Sequence, residues 1–202
     1  MIVNAVSNVL MDGGIALFPT ETVYGLGVAV NTKKNIPGDY DRIFTIKRRN
    51  RTQVTPWLVA DASALDVYGV DVTPQAYVLA KKFWPGALTL VVRASSVVPR
   101  CMQAADGTIA LRVSKSAVVN ALIQACGCPL ATTSANTHGK PAATNFNDVE
   151  KKILDDVDVA INSGDTMATD ASTIVNCVET NIKIIREGAI PSEKIISACT
   201  CL

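Results

Sequence analysis

Three short segments gather most of the hydroxyls, amides and cations that could do chemistry in this 202-residue chain. The first, Pro19-Thr20-Glu21-Thr22-Val23-Tyr24-Gly25-Leu26-Gly27, directly follows the apolar run Ile15 to Phe18. It sets two hydroxyls and a carboxylate at a strand end, where open α/β folds place ligands. Gly25 and Gly27 would let backbone approach a ligand closely; a capped turn would use the same residues. The second segment is Lys47-Arg48-Arg49-Asn50-Arg51. Arginine forks and a lysine point charge suit a triphosphate, and the same cations suit a solvated helix end favoured by the helix dipole. The third is Thr132-Thr133-Ser134-Ala135-Asn136, followed by Gly139-Lys140-Pro141. It fits hydrogen bonding to a small polar ligand or an ordinary polar loop. His138, the single histidine, reads as a surface residue of that loop.

The missing motifs narrow the chemistry. There is no G-x-x-x-x-G-K-[ST], G-x-G-x-x-G, G-x-S-x-G or H-E-x-x-H. One histidine without a nucleophile motif gives little support to Ser-His or Cys-His covalent catalysis. The residues alone reach an anion-binding cleft of hydroxyls and cations, and leave the reaction unnamed.

Elements must hold these segments in place. Residues 2–12 predict a helix with Ile2, Val6, Val9 and Leu10 inward, stopped by Gly13-Gly14. Short apolar runs predict strands at 15–18, 24–30 and 57–59. A helix is expected over 39–47 with Ile43, Phe44 and Ile46 buried, and another from Thr73-Pro74, an N-cap followed by proline at N1, to Trp84. Strands follow at 87–93 and 108–113, a helix at 116–125, and a strand opening at Pro129-Leu130-Ala131 before a polar loop from Thr132 to Thr144. A helix near 146–154, strands near 158–161, 173–177 and 182–186, and a helix opening at Pro191 complete the chain. Adjacent β runs favour a mixed α/β (α+β) sheet over a doubly wound parallel one. No repeat or linker breaks residues 1–202, which read as one domain.

Hydrophobic residues are 49% and charged residues 18%, which argues against disorder, and the net charge of +1 argues against a dedicated nucleic-acid binder. No apolar run is long enough for a membrane span, and the N-terminus lacks the pattern of a secretory signal, so a cytoplasmic protein is expected. The six cysteines read as reduced, mostly buried thiols, and one histidine makes a zinc site poor in ligands.

Seven motifs occur together: Phe18-Pro-Thr-Glu-Thr-Val-Tyr-Gly-Leu-Gly27, Ile46-Lys-x-Arg49, Phe83-Trp-Pro-Gly-Ala-Leu-Thr89, Ile109-Ala-Leu-Arg-Val113, Pro129 through Ser134-Ala-Asn136, Ser172-Thr-Ile-Val175 and Ile185-Arg-x-Gly188. In this order they resemble the YrdC-like family of threonylcarbamoyl-AMP synthases. The resemblance implies an open twisted α/β sheet with flanking helices and a positively charged concave cavity. It implies that threonine's amine takes up CO2 from bicarbonate, and that the carbamate attacks the α-phosphate of ATP. By the same resemblance Lys47, Arg49, Ser134 and Asn136 form a nucleotide tetrad, with Lys47 and Arg49 the catalytic pair. Thr108 and Arg186 are further ATP contacts; Thr20, Arg112, Thr132 and Ser172 face threonine, Arg112 with a bidentate grip on its carboxylate. Trp84 and Gly86 are expected to shape core and turn.

Mg2+ is expected to arrive on the phosphates, and no protein metal site is expected. The partners implied are ATP, L-threonine, bicarbonate and a downstream threonylcarbamoyl transferase, with weak tRNA or double-stranded RNA binding at most. The chain departs from the family's pattern at Asn50 in place of proline, in a longer path to Pro56, at Ala60 in place of histidine and at Ala171 in place of glutamate. It resembles the short type without an appended domain, so the pocket would be closed from within or by a partner. Two other readings are a carbamoyl-adenylate former, as in hydrogenase-maturation carbamoyltransferases, and a double-stranded RNA or tRNA-binding module.

Overall fold

The computed structural model describes residues 2–30, 40–50, 55–166 and 170–200. Among the described residues nine strands form one mixed sheet: β1 (Ala16–Pro19), β2 (Tyr24–Ala29), β3 (Trp57–Val59), β4 (Leu88–Arg93), β5 (Thr108–Val113), β6 (Leu130–Ser134), β7 (Val159–Ala160), β8 (Thr173–Asn176) and β9 (Lys183–Arg186). Their spatial order is β7-β1-β2-β6-β3-β5-β4-β8-β9. β1–β7, β3–β5 and β4–β8 pair in parallel and the other neighbours antiparallel, as the adjacent β runs predict. The helices are α1 (Ile2–Met11), α2 (Tyr40–Lys47), α3 (Ala64–Tyr68), α4 (Pro74–Phe83), α5 (Ala117–Cys126), α6 (Lys151–Asp156) and α7 (Ser192–Cys199).

Side chains alternate across a strand, and β5 uses both faces. Ile109, Leu111 and Val113 enter the larger apolar core, which also contains side chains of α2, α3, α4, α6 and α7. Thr108, Ala110 and Arg112 point to the opposite face. There α1 and α5 pack over part of the sheet, burying Val6, Leu10, Val119 and Leu122 against Phe18, Leu58 and Leu130. Beyond those helices, among the described residues, the same face stays open. That uncovered part is the floor of a cavity.

Local rules explain most boundaries. Thr73 caps α4 by accepting from the amide of Ala76, and Gly127, in the left-handed region at φ 64°, ends α5. Some expectations fail. Ile2 is 67% exposed, and α1 buries Val6, Ser7 and Leu10 instead, because only those reach α5 and the sheet. β6 runs on through Thr132, Thr133 and Ser134, since Gly25 and Gly27 of β2 pair with Ser134 and Thr132. The helix near 146–154 is a 3-10 turn at Phe146–Asp148 and then α6, separated by extended Val149 and Glu150. α3 was not foreseen. Asp39, Arg51 and Cys201 lie outside the described residues.

Cys126 and Cys177 are buried, whereas Cys101 is exposed. Burial pushes Cys126 up to about 11 and Cys177 up to about 12. Among the described residues no helix is long and apolar enough to cross a membrane.

Candidate functional site

All ten residues singled out from the sequence line one cavity of about 550 Å³ on the open part of the sheet. Its described lining carries four cations, Lys47, Arg49, Arg112 and Arg186, and one carboxylate, Asp106. The volume is within the range of ligand pockets. The protein commitments of these groups decide what each can still offer a ligand.

Arg112 is 7% exposed and its guanidinium is largely spent on protein. Nε donates to the carbonyl of Gly86 at 3.1 Å, while Nη2 donates to Glu21 Oε1 at 2.6 Å and to Thr22 Oγ1 at 3.1 Å. Among the described residues, Nη1 is the one guanidinium nitrogen without a protein partner. The bidentate grip expected of Arg112 would need one of the two nitrogens that already donate to protein, since Nε and Nη2 form the inward-facing fork. Glu21 is 9% exposed, and its other oxygen accepts from the hydroxyl of Ser114. Burial pushes Glu21 up, but Arg112, the hydrogen bonds and a backbone contact outweigh it and hold the carboxyl below its usual range.

Thr20 occupies the turn between β1 and β2. Its hydroxyl donates to the Val23 carbonyl at 2.7 Å and accepts from the amides of Thr22 and Val23. Its hydrogen bonds are thus used within the turn. Thr132 donates to the Leu130 carbonyl at 3.1 Å and keeps acceptor capacity. A side chain at Gly25 or Gly27 would meet Thr132 at 2.8 Å and crowd Phe18. The glycines therefore serve internal packing at least as much as the approach of a ligand.

At the other end, α2 delivers Lys47 and Arg49. Arg48 sits in the left-handed region at φ 51°, where glycine is the usual choice. The amide of Arg48 donates to Thr45 and that of Arg49 to Phe44, so the chain turns sharply and Arg49 enters the cavity. Lys47 is only 2% exposed. Its ammonium donates to the Ser134 carbonyl, to the Asn136 carbonyl at 2.7 Å and to Asn136 Oδ1 at 3.2 Å. The Asn136 amide in turn donates to the carbonyls of Thr137 and Lys140. Lys47 and Asn136 therefore hold each other and the 136–140 loop, and Ser134 lines the cavity. Arg49 Nη1 lies 3.3 Å from the Thr133 hydroxyl.

Burial, then Arg49, pushes Lys47 down from 10.5 to about 8. Between those values the folded protein holds fewer protons than the unfolded chain, so this group's contribution to stability rises with pH across that window. A polyphosphate beside Lys47 would restore its charge. If the cavity takes ATP, binding just above pH 8 is therefore expected to take up a fraction of a proton. Titration calorimetry in buffers of different ionisation enthalpy measures it; identical apparent enthalpies in all buffers would refute it.

Thr108 donates to Asp106 Oδ1 at 2.7 Å. Ser172 Oγ and Thr89 Oγ1 share a hydrogen bond at 2.9 Å, and Arg186 Nη2 donates to the Ser172 carbonyl at 2.6 Å. Glu21 and Thr133 lie in the segments singled out from the sequence but are not among its ten site residues, and Thr89 and Asp106 have no site role there. Thr89 and Asp106 had a usable signal: each lies two positions from a strand residue that faces the cavity. His138, expected at the surface, is exposed but also lines the rim.

The family model for the Sua5/YciO/YrdC proteins, described as telomere recombination, matches residues 8–188. The chain belongs to the Sua5/YciO/YrdC family. A threonylcarbamoyl-AMP synthase from Pyrococcus abyssi is 33% identical over 92% of the chain, and one from Bacillus subtilis is 31% identical over 92%. The chain spans about half the length of each, 54% and 53%. The solved structure of P. abyssi Sua5 complexed with L-threonine superposes with a TM-score of 0.89 at 32% identity, covering 97% of this chain and 56% of that one.

Within the family frame, the departures fall in different places. The path after Asn50, expected to be longer than the family's, includes residues 51–54, which lie outside the described residues. Ala60 borders a separate cavity of about 160 Å³. The carbonyl of Ala171 accepts from the amide of Ala189 at 2.9 Å and packs directly on Gly188.

Proposed function

We propose that this chain is a threonylcarbamoyl-AMP synthase, a nucleotidyltransferase that makes L-threonylcarbamoyladenylate and pyrophosphate from L-threonine, bicarbonate and ATP for tRNA modification. The observation that carries this reading is one cavity holding a cationic end at Lys47 and Arg49 and a hydrogen-bonding end at Arg112. Membership of the family, and a threonine-bound relative of the same fold, support it.

Threonine's amine and bicarbonate condense to a carbamate and water. A carbamate oxygen then attacks the α-phosphorus, the bond to the β-phosphate breaks, and pyrophosphate leaves with the electron pair. No step needs a protein nucleophile. Catalysis rests on alignment and on charge already in place. Arg112 Nη1 would anchor the amino acid's carboxylate, with Thr132 and Ser172 beside it. Arg49, Arg186 and the hydroxyl of Ser134 would meet the phosphates. Lys47 has its hydrogens on protein oxygens, so it would act through its charge, and Thr108 would border the nucleoside.

ATP would come as its Mg2+ complex. Among the described residues no group of three His, Cys, Asp or Glu is placed to hold a metal ion, and Asp106 is hydrogen-bonded to Thr108. The product would pass to a threonylcarbamoyl transferase acting on tRNA. A cytoplasmic location goes with this reading, since tRNA and the substrates meet there.

The test is pyrophosphate release with each substrate omitted in turn. The expected result is release only with ATP, threonine and bicarbonate together. Equal release with carbamoyl phosphate and no threonine would favour carbamoyl-adenylate formation instead. Tight, salt-resistant RNA binding that ATP fails to displace would favour the RNA-binding reading.

A further inference from the structure

The proposed reaction gives Glu21 no part, yet both its oxygens are committed. One takes Arg112 Nη2 at 2.6 Å and the other takes the hydroxyl of the fully buried Ser114. Glu21 stands behind Arg112, outside the cavity lining.

The four cations line one cavity, a track of positive charge. Lys47 is pushed down by burial and then by Arg49. Arg49 is pushed down by burial, with Tyr40 acting against that and Arg186 with it. Arg186 is pushed down by burial and then by Arg112. A polyphosphate carries many equivalent oxygens and would slide along such a track. Only one position sets its α-phosphorus beside a carbamate.

The contacts of Lys47 are neutral oxygens, whereas Arg112 has a carboxylate sealed from water against it. We propose that Glu21 ends the polyphosphate track: by neutralising Arg112 it reserves that end for the single carboxylate of the amino acid and keeps the triphosphate in register on Lys47, Arg49 and Arg186. A carboxylate can still accept from Nη1, because that hydrogen bond depends on geometry. A polyanion, drawn by net charge, gains little from a neutralised pair. The proposal rests on the reading of the cavity as taking ATP and an amino acid.

Glu21→Gln keeps the shape and an acceptor toward Arg112 and removes the charge. Threonine is titrated calorimetrically into wild type and variant, each alone and with saturating pyrophosphate. In the wild type, pyrophosphate should change the threonine Kd by less than about twofold. In Glu21→Gln it should raise it on the order of tenfold or more, through competition at Arg112. Ser114→Ala loosens Glu21 but keeps its charge, and should behave as the wild type. A variant as insensitive to pyrophosphate as the wild type overturns the proposal. So does Ser114→Ala behaving like Glu21→Gln, since that would mark Glu21 as merely structural. If Glu21→Gln does not fold, the wild type decides: threonine displaced by pyrophosphate overturns the proposal. A wild type that binds neither threonine nor ATP overturns the reading of the cavity, and the proposal with it.

Discussion

Arg112→Ala is expected to lower folding stability by about 3–5 kcal/mol, besides weakening threonine binding by roughly one to two decades. The stability loss follows from burial. Glu21 is 9% exposed, and with Arg112 gone its carboxylate would remain in the interior with only the Ser114 hydroxyl and backbone as partners. Breaking a buried pair on one side leaves an uncompensated charge, which costs more than the pair itself contributes. The double variant Arg112→Ala with Glu21→Gln should therefore recover much of the stability and none of the threonine binding. Lysine should substitute poorly, since one ammonium cannot serve Gly86, Glu21, Thr22 and a ligand together. Urea denaturation of both variants gives the comparison, and an Arg112→Ala protein within about 1 kcal/mol of wild type would contradict the buried-pair account. In acid the sign is fixed as well. Because the Glu21 carboxyl is held below its ordinary 4.5, its contribution is present above that value and is lost as pH falls through the lowered one.

Gly188→Ala should be the most damaging single-methyl change near the site, at about 3 kcal/mol. A Cβ on Gly188 would overlap the carbonyl oxygen of Ala171 and stand 2.8 Å from the carbonyl carbon of Ser172. Both are backbone atoms, so no rotamer change relieves the contact. The chain must shift where the Gly188 amide donates to the Thr173 hydroxyl at 3.0 Å, and where Arg186 donates to the Ser172 carbonyl. Thermal unfolding should show the lost stability, and ATP and threonine affinities should both fall, because the shift reaches Arg186 and Ser172 together. A variant with wild-type melting and wild-type affinity for both ligands would mean that this junction yields easily.

Much of this arrangement was legible in the sequence, for local reasons. The two-residue alternation in Thr108, Ala110 and Arg112 puts all three on one face, and β5 has them there. Thr73-Pro74 announces the start of α4 and the cap is made. The ten residues carried by the resemblance converge on one cavity. What was not legible depends on long-range partners. Nothing near Glu21 in sequence indicates that Arg112 and Ser114, 91 and 93 positions away, occupy its oxygens. Lys47 reads as an open cation among cations, but its hydrogens go to Ser134 and Asn136, 87 and 89 positions away. Hydropathy likewise gave Ile2 the same inward place as Val6; only the position of α5 separates them.

The central claim is that carbon from bicarbonate joins threonine's nitrogen to the phosphorus of AMP. Incubation with ¹³C-labelled bicarbonate, unlabelled threonine and ATP, read by carbon and phosphorus magnetic resonance, tests it directly. The account predicts a labelled carbonyl bonded to threonine's nitrogen and split by the phosphorus of an adenylate, formed in step with pyrophosphate. An unlabelled threonyl adenylate, or ATP cleaved without label entering any nucleotide product, would contradict it.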